Sequence, residues 1–199
     1  MNDIIHPYVM PIFRENGGRK SFAGTAFCID GYLVTAGHVI DTPSTHYVRN
    51  GNDFHPLHFD QWIPKQLPAD DRIGFDVAFY PVPGLKSPLS LADMDTEPND
   101  SLDILCWQMK AGRLQQVATQ GLVIKERDLA GHVRIATANH ITHGCSGCPI
   151  FDSNGKVYGM ITMGRTDVDA KNLAPLPRQM EQNTCWAFKT SYIKRFMPK

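Results

Sequence analysis

An excess of charge of either sign is missing from this chain. Its 20 Lys and Arg balance 20 Asp and Glu over 199 residues. No net field therefore draws nucleic acid or an anionic membrane surface, and neither is expected as a partner. A long apolar run is missing as well, since nothing approaches the roughly 20 residues needed to cross a bilayer. The opening Met1-Asn2-Asp3-Ile4-Ile5-His6-Pro7 has no basic stretch followed by an apolar one, the order of an export signal. Cysteine is sparse and odd in number, at Cys28, Cys106, Cys145, Cys148 and Cys185. Without an export signal, reduced thiols and a cytoplasmic location are the expectation. Helical periodicity is nearly absent, and repeats and low-complexity tracts are absent.

What is present is a succession of short apolar runs punctuated by Gly, Pro, Asn and Asp. With 42% hydrophobic and 20% charged residues, the composition is that of an ordinary globular chain long enough for a substantial core. The runs predict eleven strands: Tyr8–Phe13, Phe22–Ile29, Tyr32–Thr35, Phe54–Phe59, Val77–Val82, Leu102–Trp107, Val117–Lys125, Val133–Thr137, Pro149–Phe151, Val157–Met163 and Cys185–Lys189. Strands at this spacing argue for an all-β sandwich or a pair of barrels. Ile29-Asp30-Gly31-Tyr32 and Asp152-Ser153-Asn154-Gly155-Lys156 read as hairpin turns. A single helix is predicted, Tyr192–Met197, capped by Ser191 and stopped by Pro198. Pro83–Asn99, with Pro83, Pro88 and Pro98, reads as the linker between two β halves, residues 1–90 and 91–199. Gly164–Asn183 reads as a long polar loop, and a loop of that length after a strand is expected to be functional.

Three segments carry chemistry. Thr142-His143-Gly144-Cys145-Ser146-Gly147-Cys148-Pro149-Ile150-Phe151 sets one serine between two glycines in a tight turn. A serine hydroxyl becomes a nucleophile only with an exposed position, a neighbouring base and N–H donors aimed at the oxyanion. Flanking glycines let the chain bend sharply enough to offer hydroxyl and amides together. Leu33-Val34-Thr35-Ala36-Gly37-His38-Val39-Ile40 ends an apolar strand on His38. Gly74-Phe75-Asp76-Val77-Ala78-Phe79-Tyr80 opens one on Asp76, where a carboxylate is costly unless hydrogen-bonded. A histidine ring N–H would satisfy it and leave the other ring nitrogen as a base. Asp70 and Asp71 lie nearby, but neither opens an apolar run. Singly, each of the three also reads as a packed histidine, a strand-start turn residue or a Gly-rich turn. In the order His38, Asp76, Ser146, separated by 38 and 70 residues, they read as base, orienter and nucleophile.

At these residues the chain resembles the trypsin-like serine peptidases. Thr35-Ala36-Gly37-His38-Val39 is similar to their T-A-A-H segment, Asp76-Val77-Ala78 to D-I-A, and Gly144-Cys145-Ser146-Gly147-Cys148-Pro149 to G-x-S-G-G-P. Gly159-Met160-Ile161-Thr162-Met163-Gly164 resembles the strand that lies beside the substrate backbone, and Trp186-Ala187-Phe188 before a short helix also fits. The resemblance implies two packed six-stranded antiparallel β-barrels with a short C-terminal helix at 191–197. It implies a serine endopeptidase acting through a His38–Asp76–Ser146 triad and an acyl-enzyme, with no cofactor and a protein or peptide as substrate. Gly144 and Ser146 would supply the oxyanion N–H groups, and Thr162, Met163 and Gly164 would pair with substrate backbone. His140, six residues before Ser146, would lie at the base of the specificity pocket, where a neutral imidazole would not attract Lys or Arg.

The chain departs from that family in its cysteines. Cys145 stands where activation-dependent members carry an Asp that pairs with a freed N-terminus, so no N-terminal cleavage is expected, as in the bacterial and viral branches. The cysteines that flank the histidine in secreted members are missing. Cys148 replaces a glycine, and Cys145 and Cys148 admit three readings: packed thiols, a redox switch on Ser146, or, with His140 and His143, a metal site. No metal is expected, because those residues in one catalytic turn do not all converge on one ion. Three alternatives to the serine enzyme remain distinct. They are a catalytically silent domain binding peptides or partner proteins in the same cleft, a Cys145 nucleophile, and a zinc-stabilised β-domain. A regulatory partner protein, or gating by the Gly164–Asn183 loop, is expected as a restraint on activity.

Overall fold

The computed structural model describes residues 3–40, 44–63, 76–97, 100–124, 132–139, 141–164 and 184–198. Among these residues the chain forms two antiparallel sheet systems and one short α-helix. The first system contains β1 (Val9–Asn16), β2 (Arg19–Ile29), β3 (Tyr32–Thr35), β4 (His46–Asn50), β5 (Asp53–Leu57) and β6 (Ala78–Pro81), in the order β5-β4-β1-β2-β3-β6. It curls as a half-barrel. The β2–β3 turn is the predicted one, with Asp30 at φ 25° and Gly31 at φ 80°.

The second system closes. β8 (Ser101–Lys110), β9 (Arg113–Ile124), β10 (His132–Thr137), β13 (Thr184–Lys189), β12 (Lys156–Gly164) and β11 (Pro149–Phe151) pair in that order, and β11 returns to β8. A two-residue strand, β7 (Ser90–Leu91), adds to β12 in parallel. Leu102, Ile104 and Cys106 of β8 enter the barrel core, whereas Leu105 faces the other way and joins the cluster that the two sheets share. This two-sided burial is why β8 reads as a continuous apolar run rather than an alternating one.

Several boundaries differ from the sequence reading. β4 was not predicted: its inward residues are only His46 and Val48, while Tyr47 and Arg49 are half-buried, so the apolar alternation is thin. β7 lies inside the segment read as a linker. β8 and β9 extend past the predicted strands into the polar Gln108–Gln116 stretch, where Ala111 at φ 50° and Gly112 at φ 74° make the hairpin turn. The helix, α1, spans Thr190–Phe196, and its N-cap is Lys189 with no side-chain cap bond. Ser191 lies inside it. The Asp95 carboxylate accepts from the Ser191 backbone N–H (2.9 Å) and from its hydroxyl (2.7 Å).

Candidate active site

β3 delivers the histidine. After Thr35 the chain leaves the sheet at Ala36 and enters a single 3-10 turn, Gly37–Val39. His38 thus stands off the sheet edge with its side chain 44% exposed. Asp76, two residues before β6, faces it. The His38 backbone N–H donates to Asp76 Oδ1 at 2.8 Å, and His38 Nδ1 lies 3.0 Å from Oδ1 and 2.8 Å from Oδ2. A carboxylate only accepts, so in the neutral imidazole the proton sits on Nδ1 and Nε2 is the basic nitrogen. The structure brings together the two residues that the sequence paired, and it adds a backbone bond that fixes the carboxylate.

Ser146 occupies a turn whose shape requires its glycines. Gly144 has φ +100° and Gly147 φ +86°. A Cβ on Gly147 would collide with the Thr25 carbonyl and the Thr35 hydroxyl, and one on Gly144 with the Phe22 ring. Each carbonyl around the serine is held. Thr25 Oγ1 donates to Gly144 O (2.7 Å), Cys148 N–H to Cys145 O (3.0 Å) and Thr25 N–H to Ser146 O (2.9 Å). The N–H groups of Gly144 and Ser146 find no acceptor among the described residues. The Ser146 hydroxyl donates to the Thr162 carbonyl at 3.1 Å.

β12 runs beside this turn. Gly147 N–H donates to Ile161 O (2.7 Å) and Ile161 N–H to Cys148 O (2.9 Å), carrying the β11 ladder as far as Ile161. Past that point, the free edge at Thr162, Met163 and Gly164 meets only the Ser146 hydroxyl among the described residues. His140, the predicted pocket residue, lies outside the described residues, as does the loop after Gly164 up to residue 183.

The thiols cluster behind the turn. Cys106, Cys145, Cys148 and Cys185 are all buried in the second barrel, and Cys28 is buried in the first sheet core. Cys145 Sγ lies 2.8 Å from Cys106 Sγ, which also accepts from Gln108 Nε2 at 3.4 Å. Hydrogen bonding from Cys145, then from Cys148, and least from Gln108, favours the Cys106 thiolate and pulls its pKa down against burial. The same contact with Cys106, then burial, pushes Cys145 up, while burial pushes Cys148 and Cys185 up. Among the described residues no group of His, Cys, Asp or Glu has the arrangement of a metal site.

Thr25 and Thr35 were missed by the sequence reading. Both are fully buried polar residues in apolar strands, and a buried hydroxyl implies a partner. That was the available signal, although it could not have named Gly144.

Two antiparallel β systems that share a core, with a His–Asp pair on one and a glycine-flanked serine on the other, form the chymotrypsin-like fold of serine peptidases. The chain belongs to the trypsin-like peptidase domain family, whose model matches residues 24–160. A search of curated proteins by sequence found no match. Among solved structures, the chain is similar to a protease of M. tuberculosis in its active form (TM-score 0.67, 19% identity, 96% of this chain and 80% of that one). It is also similar to the serine endoprotease of Yersinia pestis (TM-score 0.68, 15% identity, 96% and 62%). A third similar structure is the tobacco vein mottling virus protease (TM-score 0.63, 9% identity, 95% and 80%). At these identities the likeness is one of fold. No helix among the described residues is long and apolar enough to cross a membrane.

Proposed function

We propose that the chain is an active serine endopeptidase whose catalytic groups are His38, Asp76 and Ser146. The observation that carries this reading is the His38–Asp76 pair, which fixes the ring tautomer that leaves Nε2 as a base. The Ser146 hydroxyl swings from the Thr162 carbonyl toward Nε2 and attacks the scissile carbonyl carbon as Nε2 takes its proton. The resulting oxyanion is met by the Gly144 and Ser146 N–H groups, which have no competing acceptor among the described residues. Loss of one such donor typically costs about 2.7–4 kcal/mol of transition-state stabilisation. Collapse breaks the C–N bond, and the imidazolium returns its proton to the leaving amine. Water, deprotonated by the same nitrogen, then hydrolyses the acyl ester.

The Thr162–Gly164 edge suits a substrate backbone added as a further strand, which defines the substrate class as an extended peptide. Cys145 offers no carboxylate to a freed N-terminus, so the site is read as competent without N-terminal cleavage. His140 is read as the base of the specificity pocket, where a neutral imidazole gives no preference for Lys or Arg. The halves 1–90 and 91–199 are read as the two structural units that contribute the base and the nucleophile.

One observation favours a second reading, a silent peptide-binding domain: the Ser146 hydroxyl donates to Thr162 O. A fluorophosphonate probe separates the two. The active-enzyme reading expects a single adduct mapped to Ser146 and none in Ser146→Ala. Folded protein that never labels supports the binding domain, and an adduct that persists in Ser146→Ala removes the nucleophile.

A further inference from the structure

We propose that Thr25 is the positioning residue that sets the nucleophile turn in its reactive shape. The inference rests on the reading of Ser146 as nucleophile. β3 leaves β2 after the pair Ala26–Thr35, so the backbone edge of Thr25 is no longer covered by a strand. The nucleophile turn takes that vacated ladder position. Every polar atom of Thr25 is engaged. Its N–H donates to Ser146 O (2.9 Å), and its hydroxyl donates to Gly144 O (2.7 Å) while accepting from the Trp107 N–H (3.0 Å). Its own carbonyl accepts from Thr35 Oγ1 (2.7 Å). The residue is fully buried, so water does not substitute for any of these bonds.

The consequence follows from which peptides are pinned. Gly144 O and Ser146 O belong to the peptide units on either side of the Cys145–Ser146 peptide, whose N–H is one oxyanion donor. The other donor, the Gly144 N–H, adjoins a residue with no Cβ and φ +100°, the softest point in the turn. The Thr25 hydroxyl holds the carbonyl of that same residue. Without it the Gly144 backbone is free to rotate and the two N–H vectors diverge, while Ser146 and His38 themselves stay intact. Thr25 sits on the first sheet and the turn on the second, so the clasp also ties donor geometry to the docking of one sheet on the other.

The test is the second-order rate of labelling by a fluorophosphonate, whose phosphoryl oxygen enters the oxyanion site. Thr25→Val keeps the shape and removes the hydroxyl, whereas Thr25→Ser restores it. Labelling is expected to slow roughly 10- to 100-fold in Thr25→Val and to stay within about 3-fold of wild type in Thr25→Ser. A core variant matched in thermal loss, such as Ile12→Val, is expected to label at the wild-type rate, which separates positioning from general destabilisation. If Thr25→Val does not fold, Thr25→Ala takes its place under the same expectation. Folded Thr25→Val or Thr25→Ala that labels as fast as wild type overturns the inference, as does equal slowing in Ile12→Val. Ser146→Ala run alongside distinguishes the failures: persistent labelling there defeats the nucleophile assignment instead.

Discussion

At the scale of single residues, the carboxylate of Asp76 does two things at once. It accepts from the His38 backbone N–H and from ring Nδ1, so it fixes where the ring stands as well as which nitrogen carries the proton. Asp76→Asn puts an amide N–H within reach of Nδ1 and favours the opposite tautomer, which places a proton on Nε2 and removes the base. With the backbone bond preserved through the amide oxygen, the fold should survive while kcat on a peptide substrate falls by about 10⁴-fold. Wild-type turnover in the folded variant would remove Asp76 from the mechanism. The sequence made this pair legible because a charged residue opening a buried strand demands a partner. It could not make Thr25 legible, since a buried threonine announces only that a hydrogen bond exists. A second residue-scale consequence concerns Cys28, which is fully buried in β2 and whose thiol burial pushes up from 9.0 to about 12. Below pH 9 the thiol is protonated in both folded and unfolded chains and makes no pH-dependent contribution to stability. Between pH 9 and 12 the unfolded chain loses the proton that the folded chain keeps, so stability falls as pH rises, by about 1.4 kcal/mol per pH unit. The stability difference between wild type and Cys28→Ala in urea unfolding should therefore hold steady below pH 9 and shrink by that slope from pH 9 to 11; a difference that does not change with pH would contradict it.

At the scale of elements, legibility followed burial on the relevant face. β3 and β11 were predicted to the residue because β3 is buried from Leu33 to Thr35 and follows the Asp30-Gly31 turn, while β11 is buried throughout and runs into the Asp152–Gly155 turn. β4 escaped because its two inward residues are one histidine and one valine. The extensions of β8 and β9 escaped because a hairpin that runs out into solvent needs no apolar side chains, only cross-strand bonds and a turn such as Ala111-Gly112. The helix shows the reverse error. Ser191 is the right residue type to cap a helix, and proximity to Tyr192 suggested that it did. Tertiary structure instead supplied Asp95, whose carboxylate takes both the N–H and the hydroxyl of Ser191 one residue inside the helix. An acidic side chain at the first turn from a distant segment does the work of a cap, which local sequence cannot reveal.

At the scale of the molecule, the question is whether the halves carrying His38 and Ser146 behave as two units or one. Two facts favour one. The main apolar cluster is shared: Ile12, Phe27 and Phe79 of the first sheet lie in it with Leu105, Phe151, Met160 and Phe188 of the second system. Polar bonds cross as well, since Val9 O accepts from Trp107 Nε1 (2.8 Å) and Gln116 Nε2 (3.0 Å), and Thr25 holds the Gly144–Ser146 turn. Separating the halves would expose that cluster and orphan these groups together, so a state with one half folded is disfavoured. The buried thiols give each half its own reporter: Cys28 lies in the shared cluster on the first sheet and Cys185 inside the second barrel. Brief alkylation across a urea series, with the two sites quantified separately by mass spectrometry, is expected to give one common midpoint. Distinct midpoints would mean that the barrel holding Ser146 stands without the sheet holding His38, and the cross-sheet clasp would then join two independently stable parts.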